Sequence, residues 1–354
     1  MAQPSESDLG NPSNPSSPVG KGPLALFGLL ADINLSTYVF IFVSVYACFS
    51  AVSFTADLFC QFRLQIAAGL AFIILVQLLA TKFKKVSKPL MAAALSLVLN
   101  VVCVVVSCVA WPGANRNTDH RAGTASSSAV PSGHTLKMLQ FNLNNNNRRY
   151  AQFVSYVLKL KPDVICLEEY SPGWSNNIAA VKKEYPYEVS KIQADSFGVA
   201  IFSRYPLQHQ AIVAIGKTGE PSAFAQIDID GQFWSFLVSH PLPPMNRQWY
   251  NLRNEQFMAI ADFVKNKGSD HFVLSADLNC VPWSAHFINL LSASGLQDTR
   301  AGFGVQPSWP VNCWILRIPI DHVLTSKNID TKVRRIEPDL GSDHLPIYVE
   351  LADR

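Results

Sequence analysis

Several short runs of β-forming residues end on side chains able to handle a metal ion or a phosphate. "LKMLQF" leads into Asn142, "DVICL" into Glu168 and Glu169, "FWSFLVS" into His240, and "HFVLSA" into Asp277 and then Asn279. Near the C-terminus, "GSDH" sets Asp343 and His344 before the alternating run "LPIYVEL". A polar residue after a strand is ordinarily a turn former, and a lone His240 is ordinarily a hydrogen-bonded structural residue. Taken jointly they mean more, because strand ends at one edge of a sheet converge. Carboxylates, amides and imidazoles gathered this way suit metal-assisted phosphoryl transfer: hard oxygen ligands hold Mg²⁺ or Mn²⁺, a base prepares water, and amide or cationic donors meet charge on the phosphate oxygens. No GxSxG elbow and no zinc-spaced Cys/His cluster is present, which disfavours a serine hydrolase and a structural zinc site.

The elements that must position these residues lie between 135 and 354. Strand-like runs there include "LKMLQFN", "DVICLEE", "FGVAIFS", "FAQIDID", "QFWSFLVSH", "HFVLSAD" and "IDHVL". "RRYAQFVSYVLKL" and "NLRNEQFMAIADFVKNK" carry apolar residues at helical spacing, and "DGQ" at 230–232 predicts a hairpin turn. This order predicts mixed sheets covered by helices.

The first third differs in kind. Residues 1–32 predict a disordered stretch followed by an interfacial one. Three charge-free stretches, Ile33–Ala56, Leu64–Thr81 and Pro89–Asn115, predict three transmembrane helices within 33–111. Lys82, Lys84, Lys85 and Lys88 between the second and third stretches put that connection in the cytoplasm by the positive-inside rule, with the N-terminus inside and the C-terminal domain outside, periplasmic or extracellular. Residues 112–134 read as a flexible tether. The net charge of +3 belongs to this N-terminal part. From Leu136 onward basic and acidic residues balance, which gives no electrostatic footprint for duplex DNA. Cys280 and Cys313 could pair if the domain is exported.

The ordered set "QFNLN", "PDVICLEE", "GVAIFSRYPL", "LVSHPLPP", "SADLNCVPWS", "IDHVLTS" and "GSDHLPI" resembles the endonuclease/exonuclease/phosphatase superfamily, which includes deoxyribonucleases, abasic-site endonucleases, sphingomyelinases and inositol polyphosphate phosphatases. "DTRAGFGVQPSWP" followed by "PIDHVL" is similar to its membrane-anchored bacterial branch. The resemblance covers 135–354 and implies a four-layer α/β/β/α sandwich of two mixed sheets, here preceded by a transmembrane helical region. It implies a metal site at Glu169, Asn142 and Asp343, with Glu169 preferred over Glu168 because alternation would turn Glu168 to the other face of a strand. Asp277 would orient the attacking water, Asn279 would donate to the phosphate, and His344 would act as base or phosphate ligand with Asp321 fixing its tautomer. His240 would stand near the leaving group. Asn144 stands where several relatives carry an acid, which implies a less charged metal site. Arg300 and Trp309 are further candidates for substrate contact, with "RRY" at 148–150 and Trp314 as a modest track for nucleic acid. The expected activity is hydrolysis of phosphodiesters, in nucleic acid or in a phospholipid or sphingomyelin-type substrate. A non-catalytic binding module on the same fold is the alternative of another class.

Overall fold

Alternation along the strands and helical spacing between them resolve into two sheets and their covering helices in the computed structural model, which describes residues 22–81, 88–108, 135–229 and 231–354. The helical region comprises α1 (Gly22–Tyr46), α2 (Phe54–Gln61), α3 (Arg63–Thr81) and α4 (Lys88–Cys108). The domain then runs β1 (Thr135–Asn142), α5 (Tyr150–Leu160), β2 (Val164–Glu168), α6 (Pro172–Asn177), α7 (Ala179–Glu184), β3 (Tyr187–Lys191) and β4 (Val199–Ser203). It continues through β5 (Leu207–Ala214), β6 (Pro221–Ile229), β7 (Gln232–Ser239), α8 (Arg247–Lys267), β8 (His271–Asp277), α9 (Ala285–Ser294) and β9 (Gln297–Asp298). The last strands are β10 (Asp321–Thr325), β11 (Ile329–Ile336) and β12 (Ile347–Asp353).

One sheet has the order β11-β12-β1-β2-β4-β3 and the other β5-β6-β7-β8-β10-β9. Their inner faces meet through Met138, Cys166, Val199, Ile201, Phe236, Val238, Val273, Val323 and Val349, all fully buried. On the outer face of the first sheet Leu139, Phe141, Ile165 and Leu167 pack on Phe153, Val157 and Trp174 of α5 and α6. On the outer face of the second, Leu237 and Leu274 pack on Phe257 and Ile260 of α8 and Phe287 of α9. These layers are the expected α/β/β/α sandwich. Local signals fix the long helix: the Asn246 side chain accepts from Trp249 N, and Gly268 closes α8 in the left-handed conformation.

Topology brings the polar strand ends together. β1 and β2 are parallel, as are β7 and β8, so Asn142, Glu168, His240 and Asp277 all lie at or just beyond C-terminal strand ends. β10 runs antiparallel to β8 and pairs Asp321 with Asp277; β12 runs antiparallel to β1 and starts just after His344. β3, β5, β9 and β11 were not predicted; β5 alternates poorly, is mostly exposed, and carries little inward apolar signal.

The helical region departs from three spans. Among the described residues only α4 is long and apolar enough to cross a bilayer. The first predicted span breaks: Ser53 caps a new helix by accepting from Ala56 N at 3.3 Å, and segments Asn34–Phe49 and Phe54–Gln61 meet at 115°. The apolar part of α3, Arg63–Leu79, is shorter than a full span. Gly22–Ala31, expected at the interface, belongs to α1, while residues 1–21, the lysine connection at 82–87 and the expected tether at 112–134 lie outside the described residues. The helices do not stand apart from the sandwich. Trp283 Nε1 donates to Cys60 O at 2.7 Å, Gly302 N donates to Cys108 O at 2.8 Å, and Ala47, Cys60 and Val104 share an apolar cluster with Val281, Trp283, Ile318 and Ile320. All seven cysteines are free, so Cys280 and Cys313 do not pair.

Gly198 sets how closely β4 approaches the end of β2. A Cβ there would lie 2.1 Å from Tyr170 O, while Tyr170 N donates to Gly198 O at 2.9 Å. Gly198→Ala is therefore expected to lower Tm by about 3–10 °C, the effect of forcing an atom into packed backbone. A thermal melt with an unchanged midpoint would contradict this packing.

Candidate active site

β1 presents Met138, Gln140 and Asn142 on its inward face, one apolar and two polar. Asn142 joins the sheets: its Nδ2 donates to Asp277 Oδ2 at 3.0 Å and to Glu169 Oε1 at 3.3 Å, and its Oδ1 accepts from Asn144 N at 3.0 Å. Glu169 accepts from Asn145 N at 2.8 Å on its other oxygen. It lies past the end of β2 with φ +56°, so strand alternation does not govern it, and both adjacent glutamates approach the site. Glu168 does so from below: it is wholly buried, accepts from Gln140 Nε2 at 3.0 Å, and the same amide group reaches Asp321 Oδ1 at 3.2 Å. Burial, and then the Asp321 carboxylate, push the Glu168 carboxyl well above its ordinary range. Its surroundings thus favour the protonated carboxyl over the charged one more strongly than water does.

The second sheet supplies the charged centre. Asp277 Oδ2 lies 3.4 Å from His240 Nε2 and 3.6 Å from His344 Nε2, while its Oδ1 accepts from Asn279 N at 3.0 Å. His344 Nδ1 meets Asp321 Oδ2 at 2.9 Å, and ligand atoms of Asp277, Asp321 and His344 all lie within 4.8 Å of one another. His240 Nδ1 bonds the Ser196 carbonyl at 2.9 Å, which fixes that nitrogen as the donor and turns Nε2 toward Asp277. Burial alone would lower both imidazoles. The Asp321 and Asp277 carboxylates outweigh it at His344 and raise its pKa to about 10, and Asp277 does the same at His240, to about 9. Burial would raise Asp277, but His344 and then His240 hold it far below the usual carboxylate range.

The rim is more open. Asp343, half-buried, accepts from Asn144 Nδ2 at 2.6 Å and from Trp309 Nε1 at 3.0 Å; the Trp309 ring lies 6.3 Å from that of His344. Asn144, Glu169 and Asn279 all have positive φ, at 55°, 56° and 49°, and all are half-buried. Such backbone costs energy in non-glycine residues and persists where surrounding contacts enforce it. Here it turns three polar side chains off their strand ends toward the cleft. Glu169, Asp343 and the Asn144 amide are half-buried and lie beside the buried Asn142 amide, a set of hard oxygen donors that fits Mg²⁺ or Mn²⁺. The buried group of Asp277, Asp321 and His344 could also hold a metal ion, although its members already bond one another.

The structure therefore brings together Asn142, Glu169, His240, Asp277, Asn279, Trp309, Asp321, Asp343 and His344. Arg300 is not among them. It is fully buried, donates to Ser107 O at 2.7 Å and Cys108 Sγ at 3.2 Å, pairs with Asp298 at 3.1 Å, and so ties the end of α4 to the sandwich rather than meeting substrate. Sequence reasoning passed over Gln140 and Ser342. Gln140 was readable as a polar residue in the inward register of β1. Ser342, whose Oγ donates to Asn142 O at 2.8 Å and accepts from His344 N at 3.1 Å, carried no comparable signal.

The sequence matches the Endonuclease/Exonuclease/phosphatase family over residues 139–344. Three solved structures share the fold. D. rerio TDP2 complexed with a single-strand DNA product is 17% identical over 61% of this chain and 98% of its own, with a TM-score of 0.52. An endonuclease/exonuclease/phosphatase family protein from Bacteroides thetaiotaomicron is 16% identical over 63% of this chain and all of its own, with a TM-score of 0.52. The human Nocturnin catalytic domain with bound sulfate is 14% identical over 62% and 94%, with a TM-score of 0.51. No curated protein matches the sequence. The family match runs from Leu139 in β1 to His344, spans more than half of the chain and takes in both walls of the cleft. The chain belongs to the endonuclease/exonuclease/phosphatase family.

Proposed function

We propose that this protein is a membrane-anchored phosphodiesterase that uses Mg²⁺ or Mn²⁺ and hydrolyses phosphodiester bonds outside the cytoplasm, in the manner of the family's nucleases. One observation carries the reading: an ionised Asp277 held between the His240 and His344 imidazoles at the meeting of the two sheets. With both imidazoles protonated at neutral pH, they serve as donors to phosphate oxygens, His240 toward the leaving group. Asp277, kept anionic by them, accepts from the attacking water and takes its proton as the new P–O bond forms. Asn142 Nδ2 and Asn279 N hold the Asp277 carboxylate in place, and the Asn279 side chain adds a donor to the phosphate. A divalent cation held by Glu169, Asn142 and Asp343 would polarise the phosphoryl group and offset its charge.

Anchoring rests on α4, whose outward side chains include Met91, Leu95, Val98, Val102 and Val106. Its first end follows the lysines at 82, 84 and 85, and its last end, at Cys108, bonds the sandwich. The positive-inside rule then favours a domain on the far side of the membrane, in keeping with the membrane-anchored bacterial branch.

Nucleic acid is the leading substrate class, since a family fold of this kind holds single-strand DNA product in D. rerio TDP2. A second reading, a phospholipid or sphingomyelin-type substrate, is favoured by Trp314, Ile315 and Leu316. These are exposed at 76%, 60% and 46% beside the Trp309 segment, and Gln65 of α3 bonds the Ile315 carbonyl at 3.1 Å.

Full-length protein in lipid nanodiscs with Mg²⁺ is expected to nick supercoiled plasmid, and EDTA is expected to abolish the activity. Glu169→Ala and His344→Ala should each reduce the rate by about 10²-fold or more. Nicking by both variants at the parent rate would sink the assignment; release of soluble phosphoester from phospholipid vesicles without nicking would select the second substrate class.

The imidazoles also predict a pH dependence of stability. Both bind protons more tightly folded than at their ordinary value of 6.5, so their stabilisation is complete below about pH 6.5 and is lost as pH rises through about 9 and 10. Metal-free protein should show a falling Tm between pH 7 and 10, and His344→Asn should flatten that slope. A slope unchanged in the variant would contradict the assigned protonation.

A further inference from the structure

The segment that follows Asp277 is held from outside by a helix of the N-terminal region. Asp57 and Arg253, both fully buried, pair at 2.8 Å, and the second guanidinium nitrogen, Nη1, donates to Asn279 O at 2.9 Å. The other Asp57 oxygen accepts from Ser284 Oγ at 2.8 Å. One turn on, Gln61 Oε1 accepts from Val281 N at 3.1 Å and Cys60 O accepts from Trp283 Nε1 at 2.7 Å. Thus α2 bonds residues 281, 283 and 284 directly and reaches residue 279 through Arg253, along the stretch between β8 and α9. From the cleft side Asn279 is fixed, among the described residues, by its own N to Asp277 and by its side chain, which donates to Pro241 O at 3.1 Å and lies 3.4 Å from His240 Nε2.

We propose that α2 is part of the catalytic apparatus and that Asp57, acting through Arg253, is a positioning residue for Asn279. This rests on the reading of Asn279 as the phosphate donor. Asn279 sits at φ +49°, a conformation that drifts unless its peptide is restrained, and the Arg253 guanidinium supplies a charge-assisted bond to its carbonyl. Arg253 in turn is wholly buried, stacked near Tyr250 and Phe257 and bonded to Asn254 Oδ1, none of which neutralises its charge; Asp57 does. Buried ion pairs contribute little net stability, so their better-attested use is to fix one geometry. The only carboxylate bonded to Arg253 among the described residues comes from the helical region, some 196 residues away in sequence. The helical region then does more than tether: a fragment that begins after α4 would contain Asn279 and Arg253 but lack the group that orients them.

The test uses full-length protein in nanodiscs, bis(p-nitrophenyl) phosphate and Mn²⁺, with Tm measured alongside. Asp57→Asn is expected to lower kcat by about 10–100-fold, the cost of a small misplacement in a reacting geometry, with KM changed by no more than about twofold. In an Asn279→Ala background the same substitution should cost less than about threefold, because there is no donor left to misplace. Should Asp57→Asn fail to fold, Gln61→Leu, which keeps the Asp57 charge and removes the bond to Val281 N and the 3.3 Å bond from Gln61 Nε2 to Asp57 Oδ2, enters the same cycle with an expected drop of about 3–10-fold that also vanishes without Asn279. Losses that multiply equally in both backgrounds would mark α2 as merely structural and overturn the proposal. An Asn279→Ala variant with the parent kcat would instead overturn the reading of the site on which it stands.

Discussion

Two carboxylates, Asp277 and Asp321, occupy paired positions on adjacent antiparallel strands, both almost completely buried. Like charges so placed are unfavourable, and much of the surrounding architecture answers that constraint. His344 bonds Asp321 and approaches Asp277, His240 approaches Asp277 from the end of β7, and Gln140 and Asn142 donate from the opposite sheet. Burial and the neighbouring Asp321 push up Glu168, the third carboxyl within the cluster, so that its charged form is disfavoured. The two sheets are thereby joined at one edge by charge and at their inner faces by apolar packing, and the edge is where phosphate chemistry becomes feasible.

The division between rim and floor follows from the same constraint. The floor residues are buried and already bonded to one another, which preserves charge and tautomer. Glu169, Asp343 and Asn144 sit at half-buried positions and leave oxygens accessible, two of them on backbone held at positive φ. A hydrated divalent cation needs such access, because Mg²⁺ surrenders its water reluctantly.

The strand ends were legible because a polar side chain that closes an apolar run keeps its place when the run becomes a buried strand. That sufficed for Asn142, His240 and Asp277 and for the sandwich around them, whereas Asp321 and His344 precede or open their strands and were named through the family resemblance. Other features were hidden for identifiable reasons. Arg300 reads as an available cation, yet its partners at 107 and 108 come from a helix almost 200 residues earlier. Asp57 and the break at Ser53 read as the edge of a membrane span, whereas their partners Arg253 and Ser284 lie on the sandwich. Apolar content alone cannot separate a helix facing lipid from one facing a domain. For Glu168 and Glu169, alternation failed because the second residue had already left the strand.

The central claim is that the rim carboxylates and the floor form one metal-dependent site. Its most direct test is a crystal structure of the full-length protein grown with Mn²⁺, read at the manganese absorption edge. The account predicts an anomalous peak bonded to Glu169 and within coordination reach of Asn142 and Asp343. A cleft without manganese, or manganese bound only by Asp277, Asp321 and His344, would contradict it.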